Sequence, residues 1–285
     1  MKICLTGGTG FLGRKISDFF TKNGFVVENI TRADLNADIS KMANKIEGSD
    51  MIINLAGASI LNKWTSEYKK EIYNSRINST RKLVEAIKMV KGKPSIVLSA
   101  SAVGIYDTFE VHDEFSDHYS GDFLAKVCKD WEAAIAPVHH EGIRLAIIRL
   151  GVVLDRNNGA LAKMILPFKL GAGAIIGDGF QPFPFIHIED LLSAIWYIYK
   201  NPKSKGIYNM VAPEMVSNRE FSKLLGKKLK RPVFLKVGVK LLSLLQGEGS
   251  TVLSQGQKVI PKRLKELDFP FQFPTADAAL TDLLD

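Results

Sequence analysis

The chain has 285 residues, 46% hydrophobic and 24% charged, with a formal net charge of +8 and a sequence pI near 9.3. Such a composition supports one large or two modest folded domains and excludes an intrinsically disordered chain. No apolar run reaches membrane-span length, and the two cysteines, Cys4 and Cys128, stand far apart among apolar neighbours. They exclude a disulfide framework and point to a reducing, cytoplasmic setting.

Residues 2–5 read as a buried strand. Thr6-Gly7-Gly8-Thr9-Gly10-Phe11-Leu12-Gly13 follows and opens a helix over residues 11–22, in which Leu12, Ile16, Phe19 and Phe20 recur at helical spacing. A strand, a glycine turn and a helix start, in that order, suit a dinucleotide pyrophosphate. Backbone N–H groups and the positive helix end face the phosphates, and glycine lets the backbone approach them. Gly7, Thr9, Gly10, Phe11, Leu12 and Gly13 are therefore expected to bind a cofactor.

Residues 25–30 form a second strand ending at Thr31-Arg32. An acidic residue at this strand end binds the adenosine ribose hydroxyls, whereas an arginine accommodates a 2′-phosphate. Arg32 lies 19 residues beyond Gly13 (32 − 13), which favours NADP(H), while nearby Asp34 keeps NAD(H) open. Residues 34–48 are weakly patterned and read as a short strand and a helix. Residues 50–55 form the next buried strand. The small residues Ala56-Gly57 after it would let a cofactor lie against the backbone, although a plain turn has the same pattern.

Residues 64–91 read as a long helix with Tyr68, Ile72, Ile77, Leu83, Val84 and Ile87 facing inward. A fifth strand over 95–100 runs into Ser99-Ala100-Ser101-Ala102-Val103-Gly104-Ile105-Tyr106. A helix over about 122–140 and a sixth strand over 144–153 follow, the strand apolar enough to be buried on both faces. The alternation predicts an α/β fold, a Rossmann-type doubly wound parallel sheet.

Beyond Asp155, glycines and prolines mark residues 158–185 as a loop-rich segment on the substrate side. Residues 185–190 form a short strand leading into a helix over 191–199. Residues 206–210 add a strand, and Ser217 caps a helix over 218–229. The chain divides into a nucleotide-binding domain, 1–212, and a small mixed C-terminal domain, 213–285. The basic run 223–231 reads as a solvated helix face, and no recognition-helix motif accompanies it, so no nucleic-acid partner is expected. No metal site is expected, because His139-His140 lacks further ligands at suitable spacing.

Several of these segments together resemble the short-chain dehydrogenase/reductase superfamily in its extended, epimerase-like branch. They are residues 6–13, Asn54-Leu55-Ala56-Gly57, residues 99–106, residues 185–190 and Gly206-Ile207-Tyr208-Asn209. Trp64, Ser75-Arg76, residues 149–154, residues 166–171 and residues 257–263 narrow the resemblance. They point to the subgroup of nucleoside-diphosphate-sugar epimerases with its own C-terminal domain. The resemblance implies that Thr31 and Arg32 hold the 2′-phosphate of NADP(H). It also implies that Leu55, Ala56 and Gly57 line the cofactor and that Glu71 and Arg76 face it. An ion pair between surface groups would explain Glu71 and Arg76 equally well.

In this superfamily a Ser after the fifth strand and a Tyr four residues before a Lys serve hydride transfer. The resemblance places Ser101 (or Ser99) and Lys126 in those roles, Ser99 and Lys126 also beside the cofactor. Four residues before Lys126 stands Asp122, and the tyrosine is missing. An ionised carboxylate is a poor substitute for a phenol as proton donor. Tyr106, on the loop after Ser101, is the better replacement; Tyr119 is another, and either could instead be a wall residue. His187 is a titratable residue near the expected cleft that more often packs than catalyses.

These residues lead to an NADP(H)-dependent oxidoreductase or epimerase-like protein acting on a small molecule, a nucleotide sugar by resemblance. The alternative is an NADP(H)-binding sensor or scaffold without turnover. A monomer and a homodimer paired through the two long helices are both compatible with the pattern.

Overall fold

The computed structural model describes residues 1–285, apart from the side chains of Leu242, Leu245, Gln246 and Leu253. One parallel sheet organises it: β1 (Lys2–Thr6), β2 (Val26–Ile30), β3 (Met51–Asn54), β4 (Ile96–Ala102), β5 (Arg144–Leu150) and β6 (Gly206–Met210). Their spatial order is 2-1-3-4-5-6. Neighbouring residues along these strands feed opposite faces. Ile3, Leu5, Met51, Ile53, Ile96 and Leu98 enter one buried cluster, and Cys4, Ile52 and Val97 enter another. Both faces are therefore apolar and must be covered by helices.

The helices up to residue 228 are α1 (Phe11–Lys22), α2 (Arg32–Asn36), α3 (Ile39–Ile46), α4 (Ser66–Met89), α5 (Phe123–Ile135), α6 (Gly159–Lys169), α7 (Ile188–Lys200) and α8 (Asn218–Lys228). α4 starts where Thr65 accepts the Tyr68 N–H, and α8 where Ser217 and Glu220 form a capping box. α4 buries Ile72, Ile77, Leu83, Val84 and Ile87 within this chain, whereas Lys70, Arg81, Glu85 and Lys88 face outward. Its apolar stripe is thus used inside the monomer. No described helix is long and apolar enough to cross a membrane.

Four expectations need correction. Residues 34–48 contain no strand. The Thr31–Asp34 capping box and the Asp38 cap start two short helices, and Met42, Ala43 and Ile46 bury the inner face of the second. Residues 96–102 are consequently the fourth strand rather than the fifth. The helix expected to reach residue 140 ends at Ile135 and tightens into a 3₁₀ turn over Ala136–Glu141, because Pro137 lacks the N–H to extend it. The strand expected over 144–153 breaks at Gly151, where a Cβ would lie 2.8 Å from the Pro184 carbonyl oxygen. Past the break, Val152–Leu154 pairs with Phe185–His187.

The fourth correction bears on the ligand. The loop-rich segment holds α6, whose Leu161 and Phe168 are buried and whose last turn accommodates Pro167. These residues join Leu154, Phe185, Phe221, Leu225, Leu280 and Leu283 in a separate core. That core seats α6, α8 and the C-terminal helix Ala276–Leu284 beside the sheet.

Candidate active site

β1 has β2 on one side and β3 on the other, so the chain reverses its direction of travel across the sheet at β1. In doubly wound sheets ligands bind outside the carboxyl ends of the strands at such a reversal. A cleft of about 1850 Å³ opens there. It exceeds the roughly 300–1,000 Å³ of a pocket for one drug-sized ligand, so a cofactor and a second molecule fit together.

The glycine turn forms its floor. Gly7 has φ +74°, and a Cβ on it would lie 2.9 Å from the Leu55 carbonyl carbon and oxygen. A Cβ on Gly13 would lie 2.3 Å from the Gly7 carbonyl oxygen. The turn is closed by Gly10 N–H donating to the Gly7 carbonyl at 3.0 Å. No side chain caps α1 and no acidic residue occupies its first turn, so its N-terminal amides remain available to an anion. The residues expected to bind a cofactor meet here: Gly7, Thr9, Gly10, Phe11, Leu12, Gly13, Thr31, Arg32, Leu55, Ala56, Gly57, Glu71 and Arg76 all line the cleft.

At the end of β2 the charges are sorted. Asp34 Oδ2 accepts from the Thr31 N–H and hydroxyl, each at 2.7 Å, and from Lys45 Nζ at 2.8 Å. Burial opposes the charge, but these donors outweigh it and hold the Asp34 carboxyl at about 2. Asp34 is therefore occupied by its own chain. Arg32 is exposed, lines the cleft and has no ion-pair partner among the described residues. Arg76 differs in being mostly buried. It donates to the Ile72 and Ala58 carbonyls at 3.0 Å each and lies 5.3 Å over the Trp131 ring. Among the described residues no carboxylate balances it, neither Glu71 nor any other, and burial pulls its pKa down. The chain thus holds an uncompensated guanidinium against the ligand cleft.

Two polar rows cross the sheet at its carboxyl end, each set by strand register. In the first, Thr6 pairs with Asn54 and Asn54 with Ser99. Thr6 Oγ1 donates to Asn54 Oδ1 at 2.8 Å, and Asn54 Nδ2 donates to Ser99 Oγ at 3.1 Å. Ser99 is buried in this network and does not line the cleft. In the second row Ser101 stands beside Arg149 and Arg149 beside Asn209. Ser101, which does line the cleft, donates to Glu132 Oε1 at 2.6 Å. Arg149 grips the same carboxylate through Nε at 2.9 Å and Nη2 at 2.8 Å. Burial works against its charge, but Glu132 prevails and the guanidinium stays protonated. Because the Ser101 hydroxyl donates to Glu132, its Oγ is left as an acceptor toward the cleft.

The expected Tyr and Lys are placed elsewhere. Asp122, where the tyrosine was expected, is the N-cap of α5 and accepts the Ala125 N–H at 2.8 Å. Lys126 points outward, bonded to Asp130 at 2.6 Å, and does not line the cleft. The Asp130 hydrogen bond raises its pKa, the reverse of what proton exchange near neutrality needs. Tyr106 is fully buried; its hydroxyl accepts from Arg149 Nη1 at 2.7 Å and lies 2.9 Å from the Asp113 carbonyl and 3.0 Å from Asn209 Oδ1. Burial pushes the phenol pKa up, and the ring does not reach the cleft. His187 caps α7, accepting the Glu189 N–H on Nδ1, and packs on Phe273. Sequence reading did not single out Glu132. Arg149, in a strand apolar enough to be buried, was the available signal, since a buried guanidinium requires a partner.

The profile of the NAD dependent epimerase/dehydratase family matches residues 3–211. The chain belongs to that family. A second profile, a domain of unknown function (DUF1731), matches residues 239–283. Among relatives, this family member is 38% identical to the Arabidopsis thaliana chloroplastic homolog of epimerase family protein SDR39U1, covering 100% of this chain and 87% of that one. It is 35% identical to Bacillus subtilis epimerase family protein YfhF, over 100% and 98% of the two chains. The crystal structure of human epimerase family protein SDR39U1 (isoform 2) with NADPH superposes with a TM-score of 0.92 at 31% identity, covering 100% of this chain and 99% of that one. The nucleoside-diphosphate sugar epimerase of Corynebacterium glutamicum gives 0.81 at 28% identity, covering 100% of this chain and 58% of that chain.

Cys128 also lines the cleft, yet burial pushes its thiol up to about 11. At pH 8 only about a thousandth of such a thiol is thiolate. Native protein is therefore expected to show no rapid reaction with Ellman's reagent at pH 8, and two thiols after denaturation. Fast labelling of Cys128 in the native state would contradict the burial described.

Proposed function

We propose that this epimerase-family chain binds NADP(H) and performs hydride chemistry, oxidation–reduction or epimerisation, on a small molecule beside the nicotinamide. The observation that carries the cofactor choice lies at the end of β2, where Arg32 has no ion-pair partner among the described residues and nearby Asp34 is already held by Thr31 and Lys45. A 2′-phosphate would meet an unpaired guanidinium, whereas a ribose diol would find its usual carboxylate engaged. The NADPH-bound relative supports the same reading. The uncapped end of α1 and the unbalanced Arg76 supply positive potential for the pyrophosphate and nicotinamide side.

For the chemistry, Ser101 is the group of this chain best placed to touch a reacting hydroxyl, held as an acceptor by Glu132 and Arg149. The cofactor supplies and accepts hydride. Ser101 orients the substrate oxygen, and Glu132 is the nearest carboxylate to which a proton leaving through Ser101 can pass. The second reading, a cofactor-binding sensor without turnover, is favoured by one observation: among the described residues no tyrosine lines the cleft and Lys126 faces away from it.

Titrating NADPH and NADH by fluorescence tests the cofactor assignment. NADPH is expected to bind at least about tenfold more tightly. Arg32→Ala should remove most of that preference and leave NADH affinity unchanged. Equal affinities in the unaltered protein would defeat the assignment. Turnover of a screened substrate, read as net NADPH consumption for oxidation–reduction or as epimer formation without it, and lost in Ser101→Ala, separates the enzyme from the sensor.

A further inference from the structure

The lining after Val153 narrows the chemistry of the second molecule. α6 turns one face into it. Ala160, Lys163, Met164 and Pro167, three or four residues apart, all line the cleft. Ala172, Ala174 and Ile176 line it as well, at the period of two that gives an extended chain one face, while Ile175 is buried. Pro182 and Phe183 continue the apolar wall. Besides Lys163, the polar side chains here are neutral, among them Thr251 and Asn218, whose Oδ1 already accepts the Ile176 N–H at 3.0 Å.

Among the described lining residues after Val153, Lys163 is the one cation, and no acidic residue accompanies it. Its ammonium has no ion-pair partner among the described residues. Apolar walls reward the burial of a hydrocarbon body by about 25 cal/mol per Å². A single ammonium balances a single negative charge. A diphosphate between these walls would carry more negative charge than the one ammonium there, itself exposed, balances.

We infer that the second molecule is an amphipathic monoanion, with its apolar body along α6 and the 172–176 segment and one carboxylate at Lys163. This replaces the nucleotide sugar that resemblance implied, and it rests on the remainder of the cleft being the place of the cofactor.

Calorimetric titration of sodium decanoate and of UDP-glucose, each with and without saturating NADPH, tests it. Decanoate is expected to bind. Lys163→Ala should weaken it by about tenfold or more, Lys163→Arg should restore it, and Lys169→Ala, outside the cleft, should leave it unchanged. UDP-glucose should give no heat at concentrations that saturate with decanoate. No decanoate binding, decanoate binding indifferent to Lys163→Ala, or tighter binding of UDP-glucose overturns the inference. If NADPH itself does not bind, the cofactor reading fails separately. The Lys163 dependence in protein without NADPH then still decides the substrate class.

Discussion

Replacing Gly13 by alanine is expected to weaken NADPH binding by about a hundredfold, roughly 2.7 kcal/mol. The added Cβ would lie 2.3 Å from the Gly7 carbonyl oxygen and 2.6 Å from Gly8 Cα, both backbone atoms of the turn itself. Neither can rotate away as a side chain would. Relief requires α1 to move off the turn, at a cost of about 1–3 kcal/mol typical of overpacking. It would also misdirect the helix-end amides that the proposed binding mode aims at the phosphates. Fluorescence titration of NADPH measures the loss, and a thermal melt of the same sample shows whether the fold persists. Gly121→Ala is the matched control, since a Cβ there meets nothing within 4 Å and the residue lies outside the cleft. It should change stability by less than about 0.5 kcal/mol. A Gly13→Ala protein that binds NADPH within about threefold of the parent would mean that the turn does not carry the cofactor.

The second large effect is expected at Glu132. Its carboxylate is the acidic partner of Arg149, whose side chain is 1% exposed. Glu132→Ala would leave a buried guanidinium with the tyrosines Tyr106 and Tyr119 as its remaining side-chain hydrogen-bond partners among the described residues. Breaking one side of a buried pair costs about 3–5 kcal/mol, because the other charge remains desolvated. At roughly 2–4 °C per kcal/mol for chains of somewhat smaller size, the melting temperature should fall by about 10 °C. Replacing both partners, as Glu132→Leu with Arg149→Met, should recover much of that loss, because no charge is then stranded. If the double variant melts no higher than the single one, the destabilisation has another source. Glu132→Gln keeps the side-chain volume and an acceptor for Ser101. Comparing it with Glu132→Ala separates the orientation of Ser101 from the repair of Arg149.

Much of the fold was legible because its signals are local. Thr6–Asn54–Leu55 and the glycines between β1 and α1 could be placed by counting along the chain, since strand, turn and helix follow one another without interruption. The same holds for Arg32 at the end of β2 and for the cap at Ser217. Residues 34–48 were misread because α2 and α3 are five and eight residues long, too short for a helical period to stand out. α6 was hidden by the glycines and Pro167 around it, although its buried Leu161 and Phe168 lie two turns apart.

The catalytic expectation failed for a different reason. Asp122 was judged as a replacement for a phenol, but its oxygen is engaged in starting α5. That start sets the phase of the helix. Val127, Cys128, Trp131 and Ile135 turn inward, so Lys126 must turn outward, where Asp130 lies one turn further along the same face.

By itself, then, the sequence determined the parallel α/β architecture, the glycine turn between β1 and α1 and the place of Arg32 at the end of β2. Each is a pattern of neighbours along the chain. Only the tertiary structure decided that Ser101 meets Glu132 from α5 and that Arg149 lies beside it. Among the described residues, the same is true of Arg76 without a counter-charge and of Lys163 as the one cation of the cleft lining after Val153. These contacts depend on strand register and helix phase, which bring together residues tens of positions apart. The physical cause is burial: a charge removed from water must find its partner across the fold, wherever the packing places one.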